Sequence, residues 1–356
     1  MKTAQRALVV GGGVIGLTSA FQLARGGWHV TLFDPSLGRG ATWAAAGMIA
    51  PIAEIGPGEE ANYELQSGAL EAWRAFAKDL CEVSNRELSI VESGTVLLGW
   101  DGSDRRLVDQ FAAVAADLGV APRRVSRDEE SPMFDGVSAR ISDGLYVAGD
   151  AWIDPDQVVA YVSEANQMLG VTVIDDAVVS VCGNGAHVEA VTERDSFEGD
   201  VGVLATGAGV LPRGALTSGQ HSVRPVHGIT VRVRGLDRSA RPMIRSFVRG
   251  NTFYMVSRPG GYNVLGASSE ERLEAGAHVG EVQRLLRDAL DVVPALETAV
   301  VLETREGNRP ASEDLRPFFE VLTGGRWAWS SGHFRHGVTL APIAAREAVR
   351  FARGVA

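Results

Sequence analysis

Residues 5–34 constrain this chain more than any other stretch: an apolar run, RALVVGG, is followed by VIGLTSAFQLARGG and then by a second apolar run, HVTLFD. The first run is short, rich in β-branched residues and closed by glycines, as in a strand buried on both faces. The second places Ile15, Leu17, Ala20, Phe21 and Leu23 mainly on one helical side and stops at a double glycine. The third reads as another buried strand, ending in an acid. The three make a βαβ unit with a right-handed crossover. At its turn, Gly11, Gly13 and Gly16 form G-x-G-x-x-G. Glycines there allow a tight turn, backbone approach to a pyrophosphate and close helix-on-strand packing. Free amides at the helix start face the phosphates. Asp34 closes the second strand where a ribose-binding carboxylate belongs. An acid at that place favours a free ribose hydroxyl pair, hence FAD or NAD over NADP.

The segments beyond Asp34 favour FAD. A nicotinamide enzyme would continue with further βα units, but this chain runs into TWAAAGMIAP, Thr42–Pro51. LATGAG, Leu204–Gly209, is another strand closed by small residues, and SGHFRHGVTLAP near the end repeats a glycine turn before a helix. Three places where backbone can lie against a ligand suit an extended FAD. Between them, NYELQSGALEAWRAFAKDLCEV, RRLVDQFAAVAADLG, DPDQVVAYVSEANQMLG and GEVQRLLRDALDVVP read as helices. From about Val223 to Gly266 short strands alternate with turns, including a hairpin at Gly260 and Gly261. The expected fold is α/β: an FAD-binding Rossmann-like domain interleaved with an α+β substrate domain on a mainly antiparallel sheet. The expected FAD-binding segments are 1–80, 145–212 and 305–356, with 81–144 and 213–304 binding substrate.

Length and composition agree. A chain of 356 residues has room for two domains. A net charge of -10 argues against nucleic acid. No apolar run approaches the roughly 20 residues that span a bilayer, and the apolar start breaks at glycines too soon for a signal peptide. A cytoplasmic protein without membrane partners is expected, and self-association is left open. Cys81 and Cys182 stand in unrelated contexts and read as packing residues, with no metal or redox cluster.

VVGGGVIGLTSAFQLARGGWHVTLFD, TWAAAGMIAP, GLYVAGDAWIDPDQVVAYV, LATGAG, GNRPASED and GHFRHGVTLAP stand in an order and spacing that cover almost the whole chain. In these motifs the chain resembles the amine- and amino-acid-oxidising flavoproteins related to D-amino-acid oxidase, and within them the glycine-oxidising, thiamine-pathway type. The resemblance implies FAD contacts at Gly11, Gly13, Val14, Ile15 and Gly16, at Asp34 and Pro35, and at Ala41 and Thr42. Ala45, Ala46, Gly47 and Met48 would lie against the isoalloxazine, where bulky side chains would block the ring. Val178, Thr206, Gly207, His333, Phe334, Arg335, His336, Gly337, Val338 and Thr339 complete the implied set. The cysteine of covalently flavinylated relatives has no counterpart at Cys81 or Cys182, so dissociable FAD is expected.

The same resemblance makes Arg309, in G-x-R-P, the grip on the substrate carboxylate, with Arg335 and Tyr254 beside it. A planar guanidinium matches a carboxylate at two points. The implied reaction is hydride transfer from substrate Cα to flavin N5, imine hydrolysis, and reduction of O2 to H2O2. The expected substrate is glycine or a small N-substituted glycine. No protein base is needed for a neutral amine, so His227 and His336 read as structural or cofactor-adjacent. Four departures bear on the substrate: ASEDLRPFFE after the R-P pair, Gly209 after ATGA, PVHGIT, and DAWID. They keep three alternatives open: an oxidase of a secondary amine or an N–N bond, a dehydrogenase with another acceptor, and a flavin-binding scaffold without turnover.

Overall fold

The strand Arg6–Val10 lies inside a six-stranded sheet because its side chains are apolar on both faces. Ala7 and Val9 enter one core and Leu8 and Val10 another. In the computed structural model, residues 5–55, 60–183, 185–215, 219, 221–272 and 274–355 are described. The sheet runs Phe318–Val321, Trp327–Ser331, Val201–Leu204, Arg6–Val10, His29–Phe33, Thr172–Ile174, and all its pairs are parallel except the first. The helices Val14–Arg25, Ala69–Ser84, Pro155–Met168 and Gly337–Val355 pack together over one face through Leu17, Phe21, Trp73, Phe76, Val158 and Ala341. The opposite face carries a three-stranded antiparallel sheet of Ser180–Gly183, Val188–Val191 and Ser196–Gly199.

The second large sheet has eight strands in the order Val300–Ala311, Arg224–Arg234, Tyr262–Gly266, Asn251–Arg258, Met243–Val248, Thr95–Gly99, Asp143–Val147, Arg123–Ser126. Only the pair between Met243–Val248 and Thr95–Gly99 is parallel. One face is sealed by the helix Val279–Val292, which lays Leu285, Ala289 and Val292 on Ile229, Val231 and Phe253. The other face receives the helix Gly102–Asp117 and the segment Ala46–Ile55. The Gly102–Asp117 helix starts at a cap built by Asp101, whose carboxylate accepts from the amides of Ser103 and Asp104 at 2.7 and 3.0 Å.

The expected boundaries at 145 and 305 fall inside the strands Asp143–Val147 and Val300–Ala311. At Gly307 the edge strand presses so close that a Cβ would lie 2.9 Å from the Ala41 Cα, tying the large sheet to the segment after Asp34. The packing role expected of Cys182 is corrected: it is exposed, with its thiol donating to Glu189 Oε2 at 3.1 Å. Period-two alternation could not tell which face of an outer hairpin meets solvent.

Candidate functional site

The dinucleotide loop folds as its glycines require. Gly11 has φ 104°, and a Cβ there would overlap the Ala205 carbonyl. A Cβ on Gly16 would strike the Gly11 carbonyl, so this glycine serves helix-on-strand contact. The Gly11 amide donates to Phe33 O at 2.9 Å, and the Asp34 carboxylate accepts from Gly12 N at 2.5 Å and Ser36 N at 2.6 Å. Thr42 Oγ1 accepts from Val14 N at 3.0 Å, which leaves the amides of Ile15 and Gly16 without helical acceptors at the positive end of the helix.

TWAAAGMIAP, the least ordinary stretch in the sequence, forms a short helix, Ala41–Ala44, and a strand, Met48–Ile49. Small side chains expose its backbone, and other elements hold it there. Ala44 O accepts from Thr230 Oγ1 at 3.0 Å, Ala46 O from Arg258 Nη2 at 3.2 Å and Met48 O from Thr339 Oγ1 at 3.1 Å. Gly47 has φ 86°, and a Cβ on it would strike the Ile153 carbonyl. The Arg305 and Arg39 guanidinium carbons lie 3.4 and 3.8 Å from the centroid of the Trp43 ring. Arg305 also pairs with Asp156 at 2.7 Å and with Glu303 at 2.7 Å. Sequence reasoning missed this arginine framework, whose members come from separate segments and carry no local motif.

Between the two sheets lies a cavity of about 1150 Å³. Its walls include Gly11, Gly13, Val14, Ile15, Asp34, Pro35, Ala41, Thr42, Ala45, Ala46, Gly47 and Met48. Val178, Thr206, Gly207, His333, Phe334, Arg335, Gly337 and Val338 also line it. Three expected cofactor residues sit behind the wall: Gly16 against the loop backbone, Thr339 bonded to Met48, and His336, which is buried. Thr206 Oγ1 is buried and without a hydrogen-bond partner. Glycine and alanine walls, free helix-start amides and the Asp34 carboxylate fit an extended flavin dinucleotide.

Arg309, Tyr254 and Arg335 face the same cavity, together with Glu54 and Arg245, which sequence reasoning did not single out. Arg309 Nη1 donates to Ser268 O at 3.1 Å, and Arg335 Nη2 donates to Glu54 O at 2.5 Å. Desolvation pulls Arg309 below its ordinary value, with Tyr254 and Glu54 opposing the shift. Burial pushes the Tyr254 phenol up to about 12, so at neutral pH it is a donor. Burial holds His333 down at about 4 and His336 well below the imidazole range, where Arg335 and Arg245 add to the effect. Both rings are neutral at pH 7. His227 lies at another part of the wall, with Nε2 3.1 Å from Glu306 Oε2.

Next to Glu54 and Arg245, burial pushes the Asp150 carboxyl up to about 7; the Thr95 hydroxyl and Arg245 oppose this and Glu54 adds to it. A carboxyl raised above its unfolded value contributes stability at low pH and loses it as pH rises through the folded value. Asp150→Asn mimics the protonated form. Relative to the parent, the variant should therefore gain roughly 2–3 kcal/mol as pH rises from about 5 to about 8. Thermal unfolding across that range reads the difference, and a constant difference would mean the carboxyl does not titrate there.

A mainly parallel sheet with a glycine loop, a mainly antiparallel sheet carrying arginines, and a shared cavity make an architecture suited to a dinucleotide. The family model for FAD dependent oxidoreductases, DAO, matches residues 6–350. The chain belongs to that family, and FAD is its cofactor. It is 27% identical to the glycine oxidase of Geobacillus kaustophilus over 346 residues, 94% of this chain and 89% of that one. The crystal structure of a glycine oxidase from that organism superposes with a TM-score of 0.85 at 24% identity, covering 99% of this chain and 95% of the other. Iminodiacetate oxidase from Chelativorans sp. BNC1 also superposes with a TM-score of 0.85, at 23% identity and covering 98% of this chain and 95% of the other. Among the described residues no helix is long and apolar enough to cross a membrane.

Proposed function

We propose that the protein is an oxidase of glycine or a small N-substituted glycine. The observation that carries this reading is that Arg309, Tyr254 and Arg335 line the same cavity as Ala45–Met48, with Arg309 close enough to feel the charge of both other groups. Gly11, Gly13, Val14 and Ile15 would hold the pyrophosphate, Asp34 the ribose, and Ala45–Met48 the ring. FAD, when bound, would supply a two-electron acceptor for the amine, with O2 as the final acceptor giving H2O2. The chain's own residues bind and aim. Arg309 pairs with the carboxylate, the Tyr254 hydroxyl donates to the same group, and Arg335 holds that end of the chamber positive. Held at two points, the carboxylate fixes the direction of Cα. With His333 and His336 neutral, neither adds charge against the arginines. The amine is oxidised to an imine, which water converts to glyoxylate and ammonia, or to glyoxylate and an amine.

The likeness to iminodiacetate oxidase supports a second reading within the same chemistry, a bulkier or dicarboxylic secondary amine. A cytoplasmic location and dissociable FAD belong to the same proposal. Oxygen uptake with glycine, sarcosine and iminodiacetate as substrates tests it, with acid or heat expected to release the flavin intact. Uptake with glycine or sarcosine supports the first reading, and a marked preference for iminodiacetate the second. Anaerobic bleaching of the flavin by substrate without oxygen uptake would make the protein a dehydrogenase. No bleaching by any of the three would overturn both readings.

A further inference from the structure

Arg309 and Tyr254 stand on strands that are not neighbours. Arg309 belongs to Val300–Ala311 and Tyr254 to Asn251–Arg258, with Arg224–Arg234 and Tyr262–Gly266 between them. Three strand spacings, about 14 Å, and a four-residue offset along the strands, about 13 Å, separate their backbones, so the two side chains can share one small carboxylate only by leaning inward over the intervening strands. The register puts all the residues concerned on one face. Arg309 pairs with Val226, two residues from Gly228; Thr230, two further on, pairs with Gly266; and Gly266 pairs with Tyr254. A Cβ built on Gly228 would overlap the Arg309 guanidinium, and one built on Gly266 would overlap the Tyr254 phenol ring. Each intervening strand therefore carries a glycine beneath one of the two heads.

Neither glycine has a positive φ, so neither is required by left-handed backbone. What demands glycine is the space above. We infer that Gly228 and Gly266 are positioning residues for the substrate carboxylate: a bare floor over which the Arg309 and Tyr254 heads converge. The three atoms nearest a methyl group at Gly228 all belong to the far end of the flexible Arg309 side chain, so the fold tolerates it while the guanidinium moves. This inference rests on the assignment of Arg309 to the carboxylate.

The test is Gly228→Ala in the FAD-loaded enzyme. KM for the amino acid should rise about tenfold or more, with melting temperature and FAD affinity close to the parent's. Acetate, a carboxylate that cannot react, should lose affinity by a similar factor when its binding is read from the visible flavin spectrum. An amine without a carboxylate should be oxidised as by the parent. In an Arg309→Lys background the planar head is gone, so adding Gly228→Ala should cost less than about twofold. Gly266→Ala should repeat the loss of acetate affinity through Tyr254. Parental acetate affinity in both glycine variants, or full multiplication of the Gly228 and Arg309 effects, would overturn the inference while leaving the oxidase reading intact. A parent that neither binds acetate nor oxidises an amino acid would overturn the oxidase reading and this inference with it.

Discussion

Arg309→Lys should raise KM for the amino-acid substrate by roughly 30-fold or more, because each hydrogen bond lost to a charged group typically costs about 1.5–3 kcal/mol. The lysine keeps the charge and loses the two-point planar grip. It also loses the anchor that orients the arginine, the 3.1 Å donation from Nη1 to Ser268 O. Turnover at saturation should fall as well, since a substrate held at one point swivels and its Cα strays from the reacting geometry. FAD content and visible spectrum should stay as in the parent. A carboxylate-free amine supplies the control: a poor substrate for the parent, and no poorer for the variant. Parental kinetics on the amino acid would mean that the carboxylate is held elsewhere, with Arg335 or Arg245 the next candidates.

Asp34→Ala should weaken FAD binding by tens-fold, since a hydrogen bond to a charged acceptor contributes about 1.5–3 kcal/mol. Turnover of the FAD-saturated variant should stay close to the parent's. The geometry adds a second cost. The Asp34 carboxylate also accepts from Gly12 N and Ser36 N, so its loss frees one amide of the glycine loop and one of the turn after the strand His29–Phe33. Asp34→Asn keeps one oxygen acceptor and should fall between parent and alanine variant. Titrating apoprotein with FAD and following flavin fluorescence measures all three. Equal affinities across the series would remove Asp34 from the ribose.

The parts legible from sequence are those whose cause is local. RALVVGG is apolar on both faces, and only a strand between two layers buries such a run. Gly11 needs both a positive φ and contact with Ala205 O, so its role is visible as a spacing before any coordinates exist. The alanines of TWAAAGMIAP carry a signal of the same kind, since small side chains in a stiff stretch mean that something approaches the backbone. The family resemblance singled out Arg309 through its motif and Tyr254 on a strand of the substrate domain, and both line the cavity.

The rest depended on register and on which segments meet. Glu54 follows an apolar run and looks like a solvated turn residue, yet its carbonyl receives Arg335 across the cavity. Arg245 reads as one charge in a strand, and only pairing opposite Tyr254 places it at the cavity wall. The arginines around Trp43 and the raised Asp150 carboxyl arise from burial by elements far apart in the chain, which periodicity does not encode. Gly228 and Gly266 sit in ordinary strand conformation, and nothing in a strand's own sequence says that a neighbour's side chain lies over it. By itself the sequence determined the strands, the helices, the dinucleotide loop and the cofactor class, because short-range sterics and hydrophobic period act within a few residues. The tertiary structure decided which charges share the cavity and where the arginine and phenol heads converge. Those depend on strand order and register, set by how two sheets bury their apolar faces together.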